Sequence, residues 1–302
     1  MRGHWTKVFS FAGGSVRKRN LANVVLSDDS LNEQKIPHSG FVAWQDGKWI
    51  DGGRTDWWTA GTAVAKHPRE QLCAVGTYGG VLMLGSGDRH EEQIAPNGEL
   101  PKNRGPLRGV RCIGDHVYVV GMNRQAYRRN TDNAWVSFDA VARPSPSDKT
   151  VVGFEAVDGF SESEIYAVGW DGEIWAYDGK LWKQVDSPTN LTMTSLRCGG
   201  DGLCYAAGRR GLLVRGRGSK WDLVEHESII DDIWGLEWYA DRLYLATMDA
   251  LYTLVDGKLH VVEFGSDAPG TCYHLSAGDG VLWSIGAKDL MAFDGNTWTR
   301  ID

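Results

Sequence analysis

Proline, positive charge and long apolar runs are all scarce in this chain of 302 residues. Only 9 prolines accompany 38 glycines, which is typical of a turn-rich globular protein and argues against a disordered one. No segment approaches the roughly 18 consecutive apolar residues that suggest a membrane-spanning helix, so we expect no membrane partner. The opening MRGHWTKVFSFAGG lacks the apolar stretch of a secretory signal. These absences predict a cytoplasmic protein.

Positive charge is outweighed, with 32 Lys and Arg against 39 Asp and Glu and a net charge of −7. Nucleic-acid binding needs a basic footprint that contacts phosphates, so we expect no nucleic-acid partner. An acidic surface keeps a protein soluble, and it also suits a basic protein partner.

Cysteine is sparse, and its spacing matches no common metal-binding or redox motif. The five cysteines are an odd number, and no two have the C-x-x-C spacing of many zinc or redox sites. Several lie in apolar runs such as LCAVG and LCYAAG. We therefore predict buried free thiols in a reducing compartment, at Cys73, Cys112, Cys198, Cys204 and Cys272.

Motifs of catalysis are missing as well. The chain has no H-E-x-x-H zinc motif, no G-x-S-x-G nucleophile elbow, no phosphate-binding glycine loop and no calcium loop. The eight histidines are scattered. The sequence thus predicts no catalytic residue, no metal and no cofactor, and it favours a binding protein over an enzyme, although folding can bring distant residues together in a site.

A repeat is the dominant feature that the chain does have. CAVG, YVVG, YAVG, YAAG, YLAT and WSIG end at positions spaced by 45, 48, 39, 39 and 39 residues. These end positions are Gly76, Gly121, Gly169, Gly208, Thr247 and Gly286. Each unit divides into four short segments rich in Val, Ile, Tyr and Trp, with turn residues between them. Asp-Gly pairs, which favour tight hairpin turns, fall before the fourth segment at Asp46-Gly47, Asp178-Gly179, Asp256-Gly257 and Asp294-Gly295.

Tryptophan recurs in these units, 12 to 14 residues after the repeat glycine in four of them. Large aromatic side chains dominate core energetics. We therefore interpret the repeat tryptophans as packing between neighbouring units rather than as ligand contacts: Trp175, Trp182, Trp221, Trp283 and Trp298.

Four-stranded units of about 40–45 residues are the signature of a β-propeller. The sequence predicts an all-β fold, a single seven-bladed propeller over residues 1–302 with four antiparallel strands per blade. The predicted blades are 1–55, 56–100, 101–147, 148–190, 191–231, 232–268 and 269–302. Six blades are the alternative, because a long insert blurs the first one.

The repeat pattern YAVG-x-x-G-x-I-x-x-Y/F-D-G-x-x-W, as it stands from Tyr166 to Trp182, resembles bacterial β-propeller repeat proteins of the sialidase-like and photosystem-assembly-factor-like kind. The resemblance spans about residues 60–302 and implies the propeller fold. The chain differs from the sialidase Asp-box, because its Asp and Gly are adjacent.

The loops between the second and third strands are expected to meet at one rim. Trp, Tyr and Arg are enriched in binding hot spots, and bulky, varied loop residues on a regular scaffold suit recognition. An Asp-Gly turn after Trp170 should push its indole outward. The predicted partner-binding residues are Tyr78, Arg124, Trp170, Asp171, Arg209, Arg210, Asp249 and Lys288, together with Trp57 and Trp58 in a blade-joining loop.

Three functions fit this sequence. The first is a monomeric propeller that binds a protein partner. In its most specific form it is a bacterial immunity protein that binds and neutralises a toxin of the type VI secretion kind, and that toxin has a basic surface. The second is a glycan-binding or glycan-cleaving, sialidase-like propeller. The third is an assembly factor for a larger complex. The fold alone does not decide among them.

Overall fold

The computed structural model describes residues 6–145, 147 and 150–302. Its 28 strands form seven four-stranded antiparallel sheets, each made of four consecutive strands. The predicted seven-bladed β-propeller is confirmed, and the six-bladed alternative is wrong. The long insert that blurred the first blade contains a short helix, α1, at Asp29–Glu33. Among the described residues, no helix has the length and apolar character needed to cross a membrane.

Three blades belong to a compact unit formed by Met1–Thr59 and Asp232–Asp302. Blade 1 comprises β1 Phe9–Lys18, β2 Leu21–Asp28, β3 Ser39–Gln45 and β4 Lys48–Thr55. Blade 6 comprises β21 Gly235–Tyr239, β22 Arg242–Ala246, β23 Leu251–Val255 and β24 Lys258–Val261. Blade 7 comprises β25 Tyr273–Gly278, β26 Val281–Gly286, β27 Leu290–Phe293 and β28 Trp298–Arg300.

Four blades belong to a second compact unit, Ala60–Asp231, apart from the first residue of β5. Blade 2 comprises β5 Thr59–Ala65, β6 Gln71–Gly76, β7 Gly80–Gly85 and β8 Asp88–Gln93. Blade 3 comprises β9 Leu107–Ile113, β10 His116–Gly121, β11 Gln125–Thr131 and β12 Ala134–Ser137. Blade 4 comprises β13 Phe154–Ser161, β14 Glu164–Gly169, β15 Ile174–Tyr177 and β16 Trp182–Val185. Blade 5 comprises β17 Met193–Cys198, β18 Cys204–Gly208, β19 Leu213–Arg217 and β20 Lys220–Leu223.

The second strand of each blade is the most buried. All six residues of β6 and of β26 are buried, as are all five of β18. A short continuous apolar run is what a strand covered on both faces requires, and this explains the repeated YAVG-like segments. The fourth strands are largely exposed, and in β16 and β20 the single buried residue is a tryptophan.

The hydrophobic core lies between neighbouring sheets, as predicted. In the second unit, one cluster joins Tyr118 of blade 3 to Trp175 and Trp182 of blade 4. Trp182 is only 1% exposed, and its ring centre lies 5.6 Å from that of Phe138 and 5.7 Å from that of Phe154. The prediction that the repeat tryptophans pack between blades is therefore confirmed.

The first and last blades of the chain pack against each other within the first unit. The backbone nitrogen of Phe11 donates to the carbonyl of Ala287 at 2.9 Å, and the indoles of Trp44 and Trp283 meet edge to face at 5.5 Å. Each of these blades nevertheless keeps its own four consecutive strands.

The repeat glycine marks a close approach of two backbone segments. A Cβ at Gly169 would collide with the carbonyl oxygen of Gly153, and one at Gly208 with the carbonyl oxygen of Thr192. Both glycines have extended φ angles, −177° and −175°, so the requirement is space rather than a left-handed conformation.

The Asp-Gly pairs adopt two kinds of turn. In blades 1 and 6 both residues have positive φ, as at Asp256 (50°) and Gly257 (74°), which is the two-residue hairpin expected from the sequence. In blade 4 only Gly179 does, and Asp178 Oδ1 instead accepts hydrogen bonds from the backbone nitrogens of Lys180 and Leu181 at 3.0 and 2.9 Å. Side-chain capping of this kind is a second way in which Asp stabilises a turn.

Candidate partner-binding surface

The turns after the second strand carry most of the predicted binding residues, and two of them share one backbone conformation. The blade-4 turn is Trp170–Gly172 and the blade-5 turn is Arg209–Gly211. Their middle residues, Asp171 and Arg210, have φ angles of 52° and 56°. Asp171, Arg209 and Arg210 are all exposed.

The closing glycine fixes each of these turns against a blade-joining loop. A Cβ on Gly172 would collide with the carbonyl oxygen of Thr189, and one on Gly211 with the carbonyl oxygen of Ile229. Thr189 and Ile229 lie in the loops that leave blades 4 and 5. In each blade, therefore, the turn and the joining loop form one continuous surface.

Trp170 is half-buried rather than exposed, so the expectation of an outward-pointing indole is wrong. Its Nε1 donates to Glu155 Oε1 at 2.6 Å, and its backbone nitrogen donates to the carbonyl of Gly153 at 3.0 Å. These two bonds hold the residue against the start of β13. Trp170 still lines a cleft at the surface.

Arg124 reaches the same cleft from blade 3, held by a buried carboxylate. Arg124 Nε donates to Glu173 Oε2 at 2.8 Å, and its guanidinium lies 4.9 Å from the ring centre of Trp175. Burial raises the pKa of Glu173, although hydrogen bonds from Trp175 and Arg124 work in the opposite direction. The guanidinium is thereby positioned between an acid and an aromatic face.

The cleft has a volume of about 520 Å³, within the range of ligand-sized pockets. Three predicted binding residues line it together: Arg124, Trp170 and Asp171. The end of β16 and the residues after it, Gln184 to Ser187, also line the cleft. The walls therefore offer an indole, a guanidinium and the exposed carboxylates of Asp171 and Asp186 to one occupant.

An exposed isoleucine next to the blade-5 turn was missed from the sequence. Ile230 is 80% exposed, and its backbone nitrogen lies 3.4 Å from the point where a Cβ of Gly211 would stand. Its neighbour Ile229 is buried. The signal was an isoleucine pair in the acidic loop HESIIDD, since two consecutive residues of an extended loop seldom both point inward.

The remaining predicted residue of the second unit, Tyr78, lies in the turn after β6 and is 51% exposed. It has the exposure expected of a binding residue. The described contacts bring only Arg124, Trp170 and Asp171 into one cleft.

The predicted residues of the first unit have different surroundings. Lys288 Nζ pairs with Asp29 Oδ2 at 2.5 Å and donates to the carbonyl of Phe9, so it links blade 7 to blade 1. Asp249 is exposed and accepts from Thr247 Oγ1 at 3.1 Å. Trp57 packs edge to face on Phe41 at 6.0 Å.

Trp58 is 37% exposed, in contrast to the half-buried Trp57 before it. Of the two, Trp58 offers more surface to a partner.

A cluster of His90, Glu92 and Asp132 has atoms close enough to hold a metal ion, but arginine occupies its oxygens. The buried Arg129 contacts Glu92 Oε1 at 2.5 Å and Asp132 Oδ1 at 2.6 Å. Burial raises the pKa of Glu92, but hydrogen bonds from Arg129 and other donors outweigh it and lower the pKa overall. The cluster is an ion-pair network that joins blades 2 and 3.

No protein-family model matches this chain. Along its length the chain is 46% identical, over 299 residues, to Immune protein Tsi7 of Pseudomonas aeruginosa, in an alignment that covers 98% of each of the two proteins. The chain belongs to the Tsi7 family. This confirms, at the level of the family, the prediction of a bacterial immunity protein.

Solved structures with low identity share the fold of this Tsi7 relative. "YCF48 bound to D1 peptide" has a TM-score of 0.67 at 14% identity, covering 98% of this chain and 94% of that one. The WD40 β-propeller domain of Doa1 has a TM-score of 0.66 at 10% identity, covering 94% and 92%. These likenesses confirm a β-propeller repeat protein, and a sialidase-like relationship stays a prediction.

Proposed function

We propose that this protein is an immunity protein that binds a cognate toxin and neutralises it, as a defence against an effector of the type VI secretion kind. The observation that carries the proposal is the 46% identity to Immune protein Tsi7 over 98% of both proteins. A regular propeller that presents variable turns suits recognition of a protein partner.

The blade-4 and blade-5 turns are the proposed binding surface, with the cleft of Arg124, Trp170 and Asp171 at one end and Arg209, Arg210 and Ile230 at the other. Tryptophan and arginine are enriched among residues that dominate binding energy. The cleft would receive a side chain of the toxin, and Ile230 would lose its 80% exposure on contact.

A basic toxin is the finer form of this proposal. The net charge of −7 would attract a cationic partner and accelerate association at low salt. The association rate constant should therefore fall as the salt concentration is raised. An association rate constant that is independent of salt would contradict the proposal that the toxin is basic, but it would not contradict the proposed immunity function.

We further propose that the protein is a cytoplasmic monomer that folds as one domain over residues 1–302. All five cysteines are free, which suits a reducing compartment. Light scattering should give the mass of one chain, 33.3 kDa, and thermal unfolding should show one transition. Cell fractionation that placed the protein in the periplasm would overturn the location.

Growth protection tests the proposed function. The product of the neighbouring gene is expressed as the candidate toxin in a heterologous bacterial host, with and without this protein. We expect the wild-type chain to restore growth, and the double variant with Trp170→Ala and Arg210→Glu to protect less. An Arg215→Glu variant carries the same charge change on an exposed strand residue of blade 5 and should protect fully. Growth arrest by the candidate toxin that the wild-type chain cannot relieve, although both proteins are produced, would contradict the proposal.

A further inference from the structure

Two of the five cysteines face each other across neighbouring strands of blade 5. Cys198 ends β17 and Cys204 begins β18, and the two are direct partners in the antiparallel register. Directly opposed residues on such a pair have side chains on the same face of the sheet. The pair lies outside the binding surface described above, and the proposed function makes no use of it.

The backbone hydrogen bonds show which kind of strand pair this is. The nitrogen of the next residue, Gly199, donates to the carbonyl of Leu203 at 2.7 Å. The nitrogen of Cys198 points away from Cys204 and donates instead to Asp158 Oδ2 at 3.0 Å. Cys198 and Cys204 therefore occupy a non-hydrogen-bonded position, where Cα atoms are about 4.5 Å apart. That separation lies within the roughly 4.4–6.8 Å that a disulfide spans.

The two sulfur atoms already touch. Cys198 Sγ lies 2.6 Å from Cys204 Sγ, so the backbone need not move to join them. Cys198 is half-buried and Cys204 is fully buried. Burial raises the pKa of the Cys204 thiol far above its ordinary value, which makes Cys198, the accessible partner, the first sulfur to react.

We propose that Cys198 and Cys204 form a reversible intramolecular disulfide when the protein meets a peroxide oxidant. Cys112 pairs with Val117 and Cys73 with Met83 across neighbouring strands, and Cys272 lies just before β25. The proposed disulfide therefore involves the blade-5 pair and leaves the other three thiols unlinked.

The oxidation proceeds in two balanced steps. The Cys198 thiol gives up its proton, its sulfur attacks one oxygen of hydrogen peroxide and the O–O bond breaks; the leaving hydroxide takes up that proton, so the products are a Cys198 sulfenic acid and water. The sulfur of Cys204 then attacks the Cys198 sulfur, the S–O bond breaks, and the thiol proton leaves with the hydroxyl group as a second water. Two thiols are oxidised and one peroxide is reduced, and a small thiol such as glutathione reverses the change.

The disulfide would close the short loop from Gly199 to Leu203 at the start of β18. That strand leads directly into the blade-5 turn at Arg209. Oxidation would therefore fasten the hairpin that carries one half of the proposed binding surface, without changing any residue of that surface.

Peptide mass spectrometry of the full-length protein tests the proposal. Trypsin cleaves after Arg197 and Arg209, so both cysteines fall in the single peptide CGGDGLCYAAGR. The native protein is treated with hydrogen peroxide, denatured, alkylated without reduction and digested. We expect this peptide to carry no alkyl group and to be lighter by two hydrogen atoms, while the peptides of Cys73 and Cys272 are alkylated as in the untreated protein.

Two controls sharpen the result. Reduction before alkylation should restore two alkyl groups on the peptide. In Cys204→Ser, Cys198 should instead yield a sulfenic acid that a dimedone probe traps.

The proposal is overturned if, after peroxide treatment, the wild-type peptide still carries two alkyl groups. It is equally overturned if Cys198 is oxidised to a sulfinic acid while Cys204 is alkylated, or if the product is a dimer linked through Cys198. These outcomes are independent of toxin binding, so they leave the proposed function untouched.

Discussion

The blade-4 and blade-5 turns have the same backbone and opposite chemistry. In blade 4 the nitrogen of Trp170 donates to the carbonyl of Gly153 at 3.0 Å, and in blade 5 the nitrogen of Arg209 donates to the carbonyl of Thr192 at 3.1 Å. Both turns then close with a 3.1 Å bond back to their first residue, from Glu173 and Leu212 respectively. Main-chain bonds therefore fix the backbone of both turns, whichever side chains the turns carry.

The two turns differ in the burial of their side chains. The indole of Trp170 is half-buried and bound to Glu155, whereas Arg209 and Arg210 are exposed. An indole that is already hydrogen-bonded would lose little conformational freedom on binding. Identical turns thus present an ordered aromatic side chain in one blade and two exposed positive charges in the next.

If the turn side chains serve binding, the free energy of unfolding should depend mainly on the core between the sheets. Trp182, which lies in that core, gives the clearest test. Trp182→Ala should destabilise the fold by about 3–5 kcal/mol, because a buried large aromatic leaves a cavity. Trp182→Phe should cost clearly less, since the buried Nε1 of Trp182 makes no hydrogen bond among the described residues and phenylalanine removes only volume. Denaturant titration measures both. A loss below about 1 kcal/mol for the alanine variant would place Trp182 outside the core.

The side chains of Trp170 and Arg210 in these turns should govern affinity rather than stability. Trp170→Ala and Arg210→Glu should each weaken toxin binding by about 2 kcal/mol or more, the threshold of a hot spot, with a nearly unchanged melting temperature. Arg215→Glu serves as the matched charge control. Calorimetry with the purified toxin decides the matter: unchanged affinity in both turn variants would place the interface elsewhere. A melting temperature lowered by Trp170→Ala would identify the indole as part of the core.

The shared backbone predicts equal penalties at the two closing glycines. Gly172→Ala and Gly211→Ala should each cost about 1–3 kcal/mol of stability, because alanine would be strained at positive φ and its Cβ would meet a carbonyl oxygen. Gly218→Ala is the control, with positive φ and nothing within 4 Å of its Cβ, and should cost less. Thermal unfolding that ranked Gly218→Ala worst would contradict the account of these turns.

The smallest effect concerns pH and two carboxylates of blade 4. Burial raises the pKa of Glu173, so the stability linked to its protonated form is present below the unfolded pKa and is lost as the pH rises through the folded one. The hydrogen bond from Arg217 lowers the pKa of Glu164, so its contribution is instead lost as the pH falls.

These opposite directions give an internal control. Between about pH 3 and pH 7, the wild type should gain stability relative to Glu164→Gln as the pH rises toward about 4.3, the ordinary pKa of Glu, and should lose stability relative to Glu173→Gln as the pH rises above that value. Urea titrations across this range measure both slopes. Slopes of the same sign would show that one of the two environments is described wrongly.

The repeat made the blades predictable, because strand burial and glycine spacing are written into every unit. The position of Trp170 was not predictable to the same degree. Its backbone turn followed from Asp171-Gly172, but the inward tilt depends on Glu155, which lies on another strand. The cleft likewise needs Arg124 from the preceding blade. No local sequence pattern indicates either contact, because each joins residues on different strands or blades. The exposure of Ile230 was predictable only in part: the sequence shows an isoleucine pair, but it does not show which of the two residues is buried.

Hydrogen exchange of the complex with the candidate toxin tests the central claim most directly. The full-length protein is compared with and without a saturating amount of that toxin. We predict slowed exchange in the segments that contain Trp170–Glu173 and Arg209–Leu212, and little change in the exposed fourth strands β20 and β24. Protection confined to β20 and β24, with both turns exchanging as in the free protein, would contradict binding through the blade-4 and blade-5 turns.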